Sequence, residues 1–351
     1  MYKRRFHLDK NPFAMTPDPD LLYLTSGHRE ALSGLMYAVM ERKGFVVLTG
    51  EAGTGKTTLL SRLLQHAEDS AHFSLVLNPT LNGNEFLESA LEDFGITDIP
   101  SSKVHRLQKL HHFLIASHLK GKTCVLVVDE AQKLSPEVLE EIRLLTNFET
   151  ADQKLLQIVL VGQEELRNVL NREDLRQLKQ RIAFRFELKP LSSAEVDAYI
   201  HYRWLSAGGR DLPFEQEAVQ LIDRASRGVP RVINSICDNA LLLIYAFETP
   251  TVTVNDIRQV MSDLDLRDLP VESNHRSKVA DSPKPLARSP QFISASVTST
   301  LQIPRPVGMP AVLSPLRLTT LDRYLPRKSR PSRWLRWAER LGMGDLQRKT
   351  S

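Results

Sequence analysis

Apolar side chains between residues 45 and 188 fall in short runs, Phe45–Thr49, Phe73–Leu77, Thr123–Val128, Leu156–Val161 and Phe184–Leu188, and the stretches between them repeat every three to four positions. Runs without polar alternation predict strands covered on both faces. With helical periods between them, they predict a parallel sheet flanked by helices, an α/β fold. After Pro190 the strand-like runs stop, and residues 192–208, 214–226, 230–247 and 254–264 each carry the helical period, which predicts a second, all-helical unit. Its first helix opens on Ser192 and Ser193 with Glu195 in the first turn, a composition that caps free N–H groups.

Past residue 270 the pattern changes. Residues 271–351 hold 9 of the 20 prolines, and this composition breaks helices and buries little, so the segment reads as a disordered tail. Within it Trp334, Trp337, Ala338 and Leu341 recur at i, i+3, i+4 and i+7, interspersed with Arg333, Arg336 and Arg340. That spacing predicts a short basic amphipathic helix near 332–342. It either meets a partner or an anionic lipid surface, or packs back on the body or stays unfolded.

Composition narrows the class. With 25% charged and 42% hydrophobic residues, the chain buries a large core or two modest ones, and fibrous and disulfide-scaffold classes are excluded. Cys124 and Cys237 sit in apolar runs without metal-site spacing, which suits two buried thiols in a reducing compartment. The apolar stretches, such as Leu241–Phe247, are shorter than the roughly 18 residues a membrane-spanning helix needs, and the polar N-terminus lacks a signal-peptide core, so a cytoplasmic location is expected. The formal charge of +4 divides unevenly: residues 271–351 carry 15 basic and 5 acidic side chains, leaving 31 basic and 37 acidic in 1–270. The body is acidic and the tail strongly basic.

The chemistry begins at Gly50-Glu51-Ala52-Gly53-Thr54-Gly55-Lys56-Thr57, which matches G-x-x-x-x-G-K-[ST] in full between a strand run and the helical Thr58–Leu64. Glycines at such a turn let successive N–H groups point at phosphate oxygens, aided by the positive end of the following helix. Lys56 is placed to reach the β- and γ-phosphates of ATP, and Thr57 offers a hydroxyl to Mg²⁺. A second element follows the run ending at Val128. Asp129 and Glu130 leave a strand at the C-terminal edge of the sheet, where open α/β sheets bind ligands. Asp129 suits the magnesium shell and Glu130 the polarisation of a hydrolytic water.

These residues resemble the AAA+ ATPases and, more narrowly, the secretion-pathway protein A (ExeA-like) family. Supporting segments are GEAGTGKTT, VLVVDEAQ, Asn11-Pro12-Phe13 with Thr16-Pro17-Asp18-Pro19, Leu22-Tyr23-Leu24 through His28-Arg29-Glu30-Ala31-Leu32, Leu160-Val161-Gly162-Gln163, and Gly228-Val229-Pro230-Arg231. The resemblance covers about residues 1–268. It implies an AAA+ nucleotide-binding domain over 1–190, a helical lid over 191–268 and a tail over 269–351, and it adds Thr58 to the nucleotide-binding segment.

Residue by residue, the resemblance makes Gln163 a sensor between Glu130 and the γ-phosphate, although a strand-end glutamine bonding to a loop fits equally. It makes Arg231 a second sensor reaching the γ-phosphate from the lid, against a solvated first-turn arginine. It implies that an arginine from 171–185, Arg176 or Arg181, reaches a neighbouring subunit's nucleotide, so that hydrolysis needs a homo-oligomer. Phe13 and Tyr23 are candidate walls for the adenine, although lone aromatics are more often core. Fuller members continue into a membrane helix and a peptidoglycan-binding module where this chain has its basic tail, so the chain reads as a shortened form.

The function expected is Mg-dependent ATP hydrolysis that drives assembly or remodelling of a protein complex, in type II secretion or pilus machinery, with membrane-surface contact through the tail. The alternative is a DNA-associated AAA+ regulator of the transposition or initiator kind, for which the acidic body offers only the 172–189 cluster and the tail as basic surface. A scaffold that binds ATP without turnover is disfavoured by intact Lys56, Thr57, Asp129 and Glu130. His105, His111, His112 and His118 share one helical stretch but lack a metal-site partner pattern.

Overall fold

Five strands form on the apolar runs, β1 (Phe45–Gly50), β2 (Ala71–Val76), β3 (Thr123–Val128), β4 (Leu156–Gly162) and β5 (Ile182–Leu188), in a computed structural model that describes residues 2–266 other than 17, 19, 20 and 78–80. All pairings are parallel and the spatial order is β2-β3-β4-β1-β5. β1, β3 and β4 are buried along their whole length. Successive side chains of such a strand enter opposite layers. Val47, Leu126 and Leu160 join one core, while Leu48, Val127 and Val161 join the other.

The first layer is closed by α4 (Gly83–Asp93), α5 (Lys103–Leu119), α6 (Pro136–Leu145), α7 (Glu165–Leu170) and α8 (Arg176–Lys179). The second is closed by α2 (Ser26–Met40) and α3 (Lys56–Ala67). β2 starts two residues before its apolar run because Ala71 and His72 already pair with Thr123 and Cys124. β5 is an edge strand and does alternate: Ala183, Arg185 and Glu187 are exposed while Phe184 and Phe186 pack on the α2–α3 layer.

Past Pro190 the described residues form four helices, α9 (Ser193–Ser206), α10 (Gln216–Ser226), α11 (Pro230–Ala246) and α12 (Val254–Asp263). The serine cap of α9 is present, with Glu195 Oε2 accepting from the Ser192 N–H at 2.9 Å and from its hydroxyl at 2.8 Å. Trp204, Ile233, Ile236 and Leu241 form the centre of this helical core. The chain's N-terminal segment joins it: Tyr2, in the short α1 (Tyr2–Arg5), Leu8 and Phe13 are buried there. The Tyr2 hydroxyl donates to Asp238 on α11 at 2.5 Å and Asn11 donates to the same carboxylate at 3.1 Å. Cys124 and Cys237 are buried and free. No helix among the described residues is long and apolar enough to cross a membrane. The amphipathic pattern at Trp334–Leu341 lies outside the described residues.

Candidate functional site

Strand order decides what meets at the C-terminal edge of the sheet. β4 lies between β1 and β3, so the loop after β1 and the acids after β3 flank the end of β4, which carries Gln163. The loop from Gly50 to Gly55 runs directly into α3, whose first residue is Lys56. Gly53 and Gly55 adopt φ of 86° and 96°, conformations that side chains resist. A Cβ on Gly53 would also lie 2.6 Å from the Cβ of Arg231.

Inside this turn Thr54 Oγ1 donates to the Glu51 carbonyl at 2.8 Å, and Lys56 Nζ donates to the Gly50 and Glu51 carbonyls at 2.8 and 2.9 Å. Burial pushes the Lys56 ammonium below its ordinary pKa, opposed by the carboxylates of Asp129, Glu130 and Glu51. Thr57 and Thr58 follow on the first turn of α3, and Ala52, Gly53, Thr54, Gly55, Lys56, Thr57 and Thr58 all face one cleft of about 460 Å³. That size fits a nucleotide.

Asp129 and Glu130 open into the same cleft. Burial pushes the Asp129 carboxyl up, and Glu130 beside it adds to this, while the Glu130 N–H and Lys56 oppose it. A divalent cation would compensate this desolvated carboxylate, and with the Thr57 hydroxyl it forms the oxygen-only donor set that magnesium prefers. Glu130 sits at φ 52° and ψ 34°, a left-handed conformation that costs a non-glycine residue energy and that clusters at functional sites. For its carboxyl, burial acts upward but is outweighed by bonds from Gln132, Lys133 and Gln163, so it lies below the ordinary range.

The helical unit supplies the opposite wall. Arg231 and Asn234, one turn apart on α11, face the cleft together with Tyr199 and Arg203 of α9. The Arg231 N–H reaches the Gly53 carbonyl at 3.3 Å, so the start of α11 touches the phosphate loop directly. Gln163 is half-buried, with its Nε2 3.4 Å from Glu130 Oε2. Tyr23 lines the cleft, edge-on to Tyr199 at 5.9 Å. Phe13 does not: it is fully buried in the helical core against Phe214, the core placement that was the alternative for a lone aromatic. Arg176 and Arg181 lie away from the cleft. Arg176 is exposed, whereas Arg181 binds the end of α6 through the Arg143 carbonyl, Thr146 and Asn147.

The sequence assigned no role to four polar residues of the cleft, His28, Tyr199, Arg203 and Asn234. His28 is buried, and its Nε2 lies 3.0 Å from the Thr54 carbonyl. A carbonyl only accepts, so Nε2 carries the proton and Nδ1 accepts from the Thr25 hydroxyl at 2.7 Å. Arg203 is buried and donates to the carbonyls of Pro12, Leu21 and Ala14 at 2.5, 3.2 and 3.4 Å. The Tyr199 hydroxyl donates to Asn234 at 2.8 Å. Only the threonine three positions before His28 gave a local signal; the other contacts join segments 26 to 191 residues apart.

Residues 39–170 match the family model of the AAA domain. The chain is 44% identical over 262 residues, 73% of its length, to general secretion pathway protein A of Aeromonas hydrophila, and it spans about half (47%) of that protein's length. It is 24% identical over 257 residues, 72% of the chain and 76% of the relative, to the ATP-dependent target DNA activator B of Escherichia phage Mu. Among solved structures, Cdc6p from Pyrobaculum aerophilum superposes with a TM-score of 0.59 at 18% identity, covering 73% of this chain and 71% of that one, a likeness of fold. The chain thus carries the P-loop AAA+ fold with its loop and acid pair, matches the AAA domain over residues 39–170, and over 73% of its length is similar to general secretion pathway protein A.

Proposed function

We propose that the chain binds ATP with magnesium and hydrolyses it, and that the accompanying movement of its helical unit assembles or remodels a protein partner. The observation that carries this reading is the meeting of three parts in one cleft: the loop 50–57, the acids Asp129 and Glu130, and Arg231 from the helical unit. In this reading the loop N–H groups and Lys56 hold the β- and γ-phosphates. The Thr57 hydroxyl and Asp129 would hold magnesium, which supplies charge compensation on those phosphates. Glu130 polarises a water whose oxygen bonds to the γ-phosphorus as the bond to the β–γ bridging oxygen breaks. ADP and phosphate leave, and the water's proton passes through Glu130 to solvent. Gln163 and Arg231 register the γ-phosphate, so its loss frees α11 from the loop and changes the angle between a nucleotide-binding part (1–190) and a lid (191–268).

A secretion context is supported by the name of the relative from Aeromonas; pilus machinery, the cytoplasmic face of a membrane and a homo-oligomer are further parts of the proposal. Membrane-surface contact by the basic tail, 269–351, belongs to it too. A DNA-associated role is the second reading, favoured by the similarity to the phage activator.

Two variants test the reading. Lys56→Ala is expected to lose ATP affinity by about a hundredfold, since it removes a charge-assisted contact to phosphate. Glu130→Gln is expected to bind ATP normally and lose at least about a hundredfold in turnover. Normal binding and turnover by Lys56→Ala would reject it. Steeply salt-dependent DNA binding that stimulates turnover would favour the second reading.

A further inference from the structure

Gln132 is bonded at both ends of its side chain. Its Oε1 accepts from the Gln163 N–H at 3.1 Å, and its Nε2 donates to Glu130 Oε2 at 2.9 Å. The orientation of the amide follows from chemistry: the main-chain N–H of Gln163 can only donate, so Oε1 must face it and the NH₂ must face the carboxylate. Space for this amide is made at Gly162, where a Cβ would lie 2.6 Å from Gln132 Oε1. The backbone reinforces the arrangement. Gln132 lies in a 3-10 turn (Ala131–Lys133) entered through the left-handed Glu130, a conformation that brings residues 130 and 132 to face each other. Lys133 and Gln163 approach the same carboxylate oxygen at 3.3 and 3.4 Å. All three donors converge on Oε2, so that oxygen is committed to the protein.

We propose that Gln132 is the positioning residue of the hydrolytic reaction, tying Glu130 to the end of β4 so that its second oxygen is held toward the attacking water. This rests on the reading of Glu130 given above. It also makes the end of β4 the common anchor of two groups, because Gln163 and Gln132 are fixed to one peptide; a shift of that peptide by the γ-phosphate moves the water-polarising carboxylate with it. The Gln163 side chain contributes through a bond of 3.4 Å, longer than the Gln132 bond, so most of the orientation falls to Gln132.

The test uses the 351-residue chain carrying Gln132→Glu, Gln132→Ala or Glu130→Gln. Gln132→Glu keeps the volume and the acceptor for the Gln163 N–H but removes the donor to Glu130. Both Gln132 variants are expected to lower kcat at least about tenfold, the low end of what positioned acid–base groups contribute. KM for ATP, and the affinity for a fluorescent ATP analogue without magnesium, should stay within about threefold of wild type, the pattern of an interaction made only in the transition state. If Gln132→Ala fails to fold, the isosteric variant decides. Wild-type kcat in Gln132→Glu alongside an inactive Glu130→Gln would overturn this proposal and leave the ATPase reading standing, since packing alone would then explain Gln132. Full turnover by Glu130→Gln would sink the reading of Glu130 and this proposal with it.

Discussion

His28 commits both ring nitrogens, one to the Thr25 hydroxyl and one to the Thr54 carbonyl, so it joins the start of α2 to the phosphate loop. Burial holds its pKa below the ordinary value, with the Thr54 carbonyl acting the other way. The unfolded chain therefore takes up this proton at higher pH than the folded one. The stability involved is fully present above the unfolded value, about 6.5, and is lost as the pH falls toward the lower folded value. Thermal unfolding of wild type should thus weaken between about pH 7 and 5 more steeply than that of His28→Gln, whose amide still donates to the loop but takes up no proton. Parallel pH profiles for the two proteins would exclude this role for the imidazole.

At the scale of elements, Arg203 of α9 holds the carbonyls of Pro12, Ala14 and Leu21 with its guanidinium and lies over the Tyr199 ring. Arg203→Met would leave those carbonyls unsatisfied and should lower stability by about 3 kcal/mol in denaturant titration. Limited proteolysis should then open the chain near residues 14–23, and unchanged protection there would contradict the assignment. The strands that carry the phosphate loop and the acid pair were readable because a covered parallel strand has almost no freedom of composition, and the runs ending at Thr49, Val128 and Val161 display that constraint. The motif residues were readable because loop geometry demands particular residue types at fixed spacing. Arg203, Tyr199 and Asn234 were not, because their partners are set by how α9 and α11 pack, which one-dimensional periodicity does not encode. Phe13 shows the same limit: a lone aromatic reports that it is apolar, not which core it enters.

For the whole molecule, Arg176 and Arg181 differ in what they have left to offer. Arg181 is tied to the end of α6, while Arg176 is exposed at the start of α8. If turnover is completed across subunits, Arg176→Ala should keep ATP affinity but lose turnover by about a thousandfold, the lower range for an arginine supplied in trans. Mixing it with Lys56→Ala, which retains Arg176, should restore part of the activity. Arg181→Ala should instead lower the unfolding temperature. Activity of Arg176→Ala equal to wild type at all protein concentrations would remove Arg176 from that role.

The bonds from Tyr2 and Asn11 to Asp238 span 236 and 227 positions of sequence. Because synthesis runs from the N-terminus, the partner of residues 2–11 emerges from the ribosome only after the sheet and most of the helical bundle have been made. The Tyr2 hydroxyl and the Asn11 amide lack their carboxylate through that interval, a loop closure that slows folding. A nascent chain stalled before α11 would expose the phosphate loop with one wall of its cleft missing, so nucleotide capture should begin only near the end of translation of the folded body.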